Sequence, residues 1–156
     1  LLDEWLRIWS ETNAQQDALR VELRPMTAGS ELLELRILNA AKQKVANVVF
    51  AEIHDRRGHM ILSVRDQNTF DPLPRNRRLI TLAHLFLIHR YKAGSVHYVT
   101  PTEDNARQTQ KLKALGIFSE VHTEIGQIIV ATVAARRIGA LLAPDRTALR
   151  ALIQKG

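Results

Sequence analysis

The chain has 156 residues, a formal net charge of +6, no cysteine and 46% hydrophobic residues. That suffices for one domain, residues 1–156, with a full core, and leaves no disulfide and no thiolate metal site. No apolar run approaches the roughly 18 residues of a membrane span, and the start, Leu1 to Trp9, is acidic where a signal peptide would be basic. These features suit a cytoplasmic protein without a membrane partner, and the absence of an initial Met suggests a piece of a longer polypeptide. The positive charge favours an anionic partner. Nucleic acid is not expected, because the basic residues are dispersed, aromatics make up only 5% and no nucleic-acid-binding signature is present.

Leu1, Leu2, Trp5, Leu6, Ile8 and Trp9 share one helical face, with Asp3, Glu4, Arg7 and Glu11 on the other. An amphipathic linker helix is expected within residues 1–16, docked on its own domain, on a preceding one or on a second subunit. Leu19, Val21 and Leu23 alternate with charged residues as a half-buried strand, and so do Leu33, Leu35 and Ile37. Val45 to Ile53 is apolar enough for a central strand. Asp55-Arg56-Arg57-Gly58 is a hairpin turn with Gly58 free to take positive φ. Met60, Leu62 and Val64 begin the next strand, which completes a three-strand antiparallel meander.

The stretch from Arg65 to Gly94 joins that strand to the most apolar helix, expected from about Asn76 to Tyr91 and buried against the sheet. Arg75, Arg77 and Arg78 crowd its first turn, the end where the helix dipole is already positive. An anion bound by the free N–H groups would resolve that conflict. Two readings stand side by side: a phosphate clamp on a rigid helix, or a solvated basic loop paired with carboxylates elsewhere. The Asn68–Asn76 segment has little core of its own and is expected to be mobile until ordered.

Gly94 fits a helix C′ position, and Val96 to Val99 reads as a short strand parallel to the one before the helix. Thr100, Pro101 and Glu103 suit N-cap, N1 and N3 of the next helix, which Gly116 stops. Phe118–His122 and Gln127–Val133 form a closing antiparallel pair around Ile125-Gly126. Two short helices follow, broken at Ala143-Pro144, with Asp145 as N-cap of the second. The order gives an α+β fold with a mixed sheet.

The six histidines offer no metal pair. His84 and His89, five apart on a helix, do not share a face, and no metal is expected. Ser63 and Ser119 lie in no nucleophile-elbow context. Glu52 and Glu124 have no identifiable catalytic partner.

The sequence of meander, basic turn, core helix, parallel strand, helix and closing hairpin, from Leu33 to Val133, resembles the GNAT acetyltransferase family. The resemblance implies flanking helices on a mixed sheet with a splayed parallel pair, Met60–Asp66 and Val96–Thr100, that holds acyl-CoA. Strand residues Leu62, Ser63 and Val64 would face the pantetheine arm. Arg75, Asn76, Arg77 and Arg78 would hold the phosphates. Asn105 corresponds to the family's Asn beside pantetheine, and Lys111 would reach the 3′-phosphate. The departures matter equally. Arginines replace the glycine-rich turn, so side chains would bind more of the phosphate. Leu112 stands where the family has a proton-donating Tyr, and Arg24 to Leu33 leaves no room for the acceptor-side helices. The implied domain binds CoA without transferase chemistry.

The segments ILSVRDQNTFDP, HLFLIHRYKA, VHYVTPTEDN and EIGQIIVA are similar to the C-terminal domain of long-form isocitrate lyases of the glyoxylate bypass. That resemblance implies a non-catalytic regulatory domain sensing acetyl-CoA or another short acyl-CoA. It also implies a lyase barrel in the same polypeptide. The Asn68–Asn76 loop, once ordered by the ligand, is expected to present Phe70 and Leu73 as an apolar patch, through which this domain pairs with its copy on another subunit, a homo-dimerisation that controls activity. An active N-acetyltransferase, a ligand-free oligomerisation domain and, on charge alone, a nucleic-acid binder are the alternatives.

Overall fold

The computed structural model describes residues 1–13, 18–70 and 78–154. Its elements in chain order are α1 (Leu2–Thr12), β1 (Arg20–Pro25), β2 (Leu33–Leu38), β3 (Lys44–His54), β4 (Met60–Thr69), α2 (Leu79–Tyr91), β5 (Ser95–Tyr98), α3 (Glu103–Ala114), β6 (Phe118–Glu124), β7 (Ile128–Val133), α4 (Ala135–Leu141) and α5 (Thr147–Gln154). Among the described residues, seven strands make one sheet in the order β1-β2-β3-β4-β5-β7-β6. All neighbours are antiparallel except β4 and β5, which pair in parallel as expected. The antiparallel β1–β4 run follows from period-2 alternation and tight turns. At the β3–β4 hairpin Gly58 takes φ +81 and donates to the Asp55 carbonyl.

One sheet face carries Leu35, Ile37, Val48, Phe50, Leu62, Val64, Val96 and Tyr98, all in a single buried cluster. Helix α2 lies against β3 and β4 on that cluster. Its residues from Leu79 to Leu85 are all buried, polar Thr81 and His84 included, which is why an amphipathic stripe is missing from its sequence. Helix α1 packs on α2, β1 and α5. Trp5 is fully buried with its ring edge-on to Phe86, 6.4 Å between centroids. Both α1 tryptophans therefore serve the core of their own domain instead of offering a contact surface.

The opposite face carries a polar row whose register pairs Glu22 with Arg36, Arg36 with Asn47 and Asn47 with Asn68. Arg36 donates to Glu22 (2.6 Å), and Lys44 and Asn47 both donate to Glu34 (2.8 Å each). Burial works against the Glu34 charge, yet these two hydrogen bonds outweigh it and hold the carboxyl below its ordinary value. A one-residue slip of any strand would break the row and expose the apolar set.

Three local expectations are corrected. Helix α2 starts at Leu79, with Arg78 as N-cap in the left-handed region (φ 74), so Arg78 precedes the first turn. Its left-handed C-cap is Lys92 (φ 52). Gly94 instead bridges strands, donating to Met60 and accepting from Val133. Helix α3 is capped by Thr102, whose hydroxyl accepts from Asn105 N–H (3.1 Å). Thr102 has the extended backbone that a cap needs, whereas Thr100 turns left-handed (φ 47) as the chain leaves β5.

His84 and Tyr98 stack inside the core, 5.8 Å between ring centroids. His84 Nδ1–H donates to the Ile80 carbonyl (2.9 Å), while His84 Nε2 and the Tyr98 hydroxyl have no hydrogen-bond partner. Burial lowers the His84 pKa to about 4 from its ordinary 6.5, only partly opposed by the Ile80 carbonyl. The unfolded chain therefore takes up a proton near 6.5 that the folded chain refuses until about 4. The resulting stability is complete above the higher value and is lost as pH falls towards the lower, about 3 kcal/mol in all. His97, lowered by desolvation, acts in the same direction. Urea unfolding at neutral and mildly acidic pH should show this loss in the wild type and much less of it in His84→Leu.

Candidate functional site

The site begins with one surplus residue in β4. Asp66 pairs with Val49 and Val64 with Phe50, so Arg65 between them has no partner on β3. This is a β-bulge, which bends a strand and re-aims its edge. Parallel pairing with β5 reaches its last register pair at Val64↔Tyr98, sealed by Val99 N–H donating to the Val64 carbonyl (3.1 Å). From Arg65 to Thr69, no described strand pairs with β4 on that side. The bulge and the end of pairing coincide, and the sheet opens there.

Helix α3 stands over the gap. Its first acidic residues, Glu103 and Asp104, suit the positive end of the helix dipole. Asn105 is buried one turn in, and Gln67 Nε2 donates to its Oδ1 (3.2 Å). Gln108 Nε2 reaches the Thr81 hydroxyl on α2 at 3.5 Å, and Thr109 ties back to the Asn105 carbonyl at 2.7 Å. Between β4, the start of α2 and α3 lies a cleft of about 310 Å³, lined by Gln67, Asn68, Ile80, Asn105, Gln108 and Lys111 among others. Three amide side chains, those of Gln67, Asn105 and Gln108, make this wall; the Asn68 amide turns to the other sheet face, where it donates to Asn47 (3.3 Å) and Asp66 (2.8 Å). Arg107 and Asp104, paired with each other at the exposed rim, and Thr69 complete the lining.

The structure brings together Asn105 and Lys111, on one wall of the cleft. Arg78 is held at the α2 N-cap, where its carbonyl accepts from Leu82 N–H (2.8 Å). Arg75, Asn76 and Arg77 lie outside the described residues, as does the expectation of an ordering loop over most of its length; its first residues, Asn68 and Thr69, belong to β4. Leu62, Ser63 and Val64 sit deeper in β4, buried between β3 and β5, one step before the open edge. Sequence reasoning missed Gln67 and Gln108. The signal was present for Gln108, since Asn105, Gln108 and Lys111 recur every three residues on one helix face. Leu112, expected from the resemblance to stand in place of the family's Tyr, is fully buried in the core. The β1–β2 connection is a short turn over residues 26–32, closed by Met26 N–H on the Leu32 carbonyl. Among the described residues no cluster of three metal-ligating side chains occurs, and no helix is long and apolar enough to cross a membrane.

Comparison with solved structures matches this topology. A KacTA–DNA complex superposes with a TM-score of 0.52 at 7% identity, over 79% of this chain and 97% of that one. AtaTR bound with AcCoA gives 0.51 at 10% identity, over 80% and 98%. The fold is GNAT-like. At the level of sequence, the chain is 59% identical over 155 residues to a candidate subunit of isocitrate lyase from Mycobacterium tuberculosis, 99% of this chain and 39% of that protein. It has the same identity over the same length to isocitrate lyase 2 of Mycobacterium tuberculosis and of Mycobacterium bovis, covering 20% of each. The GNAT-like chain thus corresponds to between a fifth and two-fifths of the relatives it matches. No family model matches it.

Because Thr102 fixes the first turn of α3, and with it Asn105, its loss should be felt at the cleft. Thr102→Ala should cost about 1 kcal/mol of stability, read as a fall of about 2–4 °C in Tm.

Proposed function

We propose that this chain is a non-catalytic regulatory domain of an isocitrate lyase polypeptide, and that it binds acetyl-CoA or a related short acyl-CoA in the β4–α3 cleft. The observation that carries the reading is the opening of the sheet at the Arg65 bulge beside a wall of side-chain amides. An extended amide-bearing arm can pair with an unpartnered strand edge much as a further strand would. The pantetheine arm would run along Arg65–Thr69, past Asn105, with the acyl end towards Val64 and Tyr98. The phosphates would meet the Arg75–Arg78 turn, with Asn76 N–H near the diphosphate, and Lys111 would meet the 3′-phosphate. Arginine suits that role because its fork makes two parallel hydrogen bonds to one phosphate.

The reading is non-catalytic because Leu112 supplies no proton to a leaving thiolate and the short β1–β2 turn builds no acceptor wall. A sensing role fits a lyase whose route consumes acetyl units. Regulation requires that the ligand bind two global states with different affinity. The lyase barrel and a second copy of this domain are the partners through which that difference would act. Phe70, 37% exposed beyond the end of β4, is the apolar residue best placed for the second.

Calorimetry should detect acetyl-CoA binding to the wild-type chain. Each charge-assisted hydrogen bond contributes roughly 1.5–3 kcal/mol, so Arg77→Ala with Arg78→Ala should weaken binding at least about tenfold. Unchanged affinity in the double variant rejects the arginine clamp, and absence of binding to the wild type rejects the sensor.

Sedimentation velocity reads the partner choice. Acetyl-CoA should shift the wild type towards a dimer and leave Phe70→Ser monomeric. Binding without any change in association points to contact with the barrel instead.

A further inference from the structure

Gln67 is an unusual occupant of its position. It pairs in register with fully buried Val48, on the sheet face that otherwise carries the apolar core, and it lines the cleft. The residue is 9% exposed. One half of its amide is used: Nε2 donates to Asn105 Oδ1 (3.2 Å). The other half, Oε1, is buried and has no partner. A buried polar atom without a partner costs free energy that a matching ligand group restores on binding. The chemistry of that group can be narrowed. Exchanging O and N in both amides keeps the Gln67–Asn105 bond but turns the orphan acceptor into an orphan donor. A phosphate or carboxylate meets only the second arrangement and an ammonium only the first. A secondary amide, which presents N–H and C=O together, meets either; a hydroxyl does so too, but with one atom in place of two, and the amide is the group that also pairs with an open strand edge.

We infer that Gln67 is a specificity-determining residue that reads a secondary amide of the ligand, with Asn105 holding it in place. The inference rests on the acyl-CoA reading above and deepens it. Discrimination among CoA-like ligands comes from the amides of the pantetheine arm, recognised by a strand side chain, as well as from the phosphates. It separates two functions within the site. Lys111 serves the nucleotide end, and Gln67 serves the arm.

The test uses the 156-residue chain in calorimetry with two probes, acetyl-CoA and adenosine 3′,5′-bisphosphate, which lacks the arm and its amides. The wild type should bind acetyl-CoA at least about tenfold more tightly than the bisphosphate. Gln67→Met keeps length and removes the unpartnered Oε1 but also the bond to Asn105 Oδ1, two effects of opposite sign, so its Tm should stay close to that of the wild type. It should lose at least about tenfold in acetyl-CoA affinity while binding the bisphosphate as before. Equal loss for both probes, or no loss for acetyl-CoA, overturns the assignment. So does a wild type that binds both probes equally, a result that does not depend on how the variant folds. A wild type that binds neither probe rejects the acyl-CoA reading itself, which distinguishes that failure from a failure of Gln67.

Discussion

Strand β4 holds one residue more than β3 can match, and the sheet has to absorb it. With Val64 fixed opposite Phe50 and Asp66 opposite Val49, Arg65 is left over, and the strand bends away from β5 at the point where their pairing ends. Everything used at the site follows from that mismatch. The strand edge beyond it lacks a neighbour, α3 descends over the opening, and the Gln67 and Asn105 amides meet across it. Moving the surplus residue would redirect the whole β4 edge, because a one-residue change of register turns each following side chain to the other face.

The core tolerates polar groups where α2 crosses the sheet. An amphipathic helix would keep His84 and Thr81 at the surface. Here α2 is enclosed on nearly every side, by the sheet, α1 and α3, so both go inside. Thr81 is reached by Gln108, but His84 Nε2 and the Tyr98 hydroxyl remain without partners. The polar row on the other sheet face behaves differently. There Glu34 receives bonds from Lys44 and Asn47, and its charge survives burial.

Much of this fold was legible in the sequence. Period-2 alternation located β1, β2 and the hairpin at Gly58, and the element order carried the family resemblance and the parallel β4–β5 pair. What escaped was non-local. The residues Gln67-Asn68-Thr69 look like a loop by composition, yet pairing with Ala46 to Val48 on β3 keeps them in a strand. Thr100 and Thr102 are equal as capping residues on paper, and the turn out of β5 decides between them. Asn105 and Lys111 were singled out through the family pattern, and both line the cleft. Gln67 was not singled out, because a glutamine inside a strand carries no local sign that its amide will be buried opposite another.

Glu4 on α1 is joined to Arg146, just before α5, by a bidentate pair at 2.9 and 3.4 Å, and Trp5 on the following position abuts Phe86. Mechanically this ties separate parts of the chain into one block. Helix α2 spans about 20 Å at its ordinary rise, with Phe86 past its middle and Arg78 at its N-cap. The N-terminal helix is thus fastened both to the last helix and to the rod at the centre of the core.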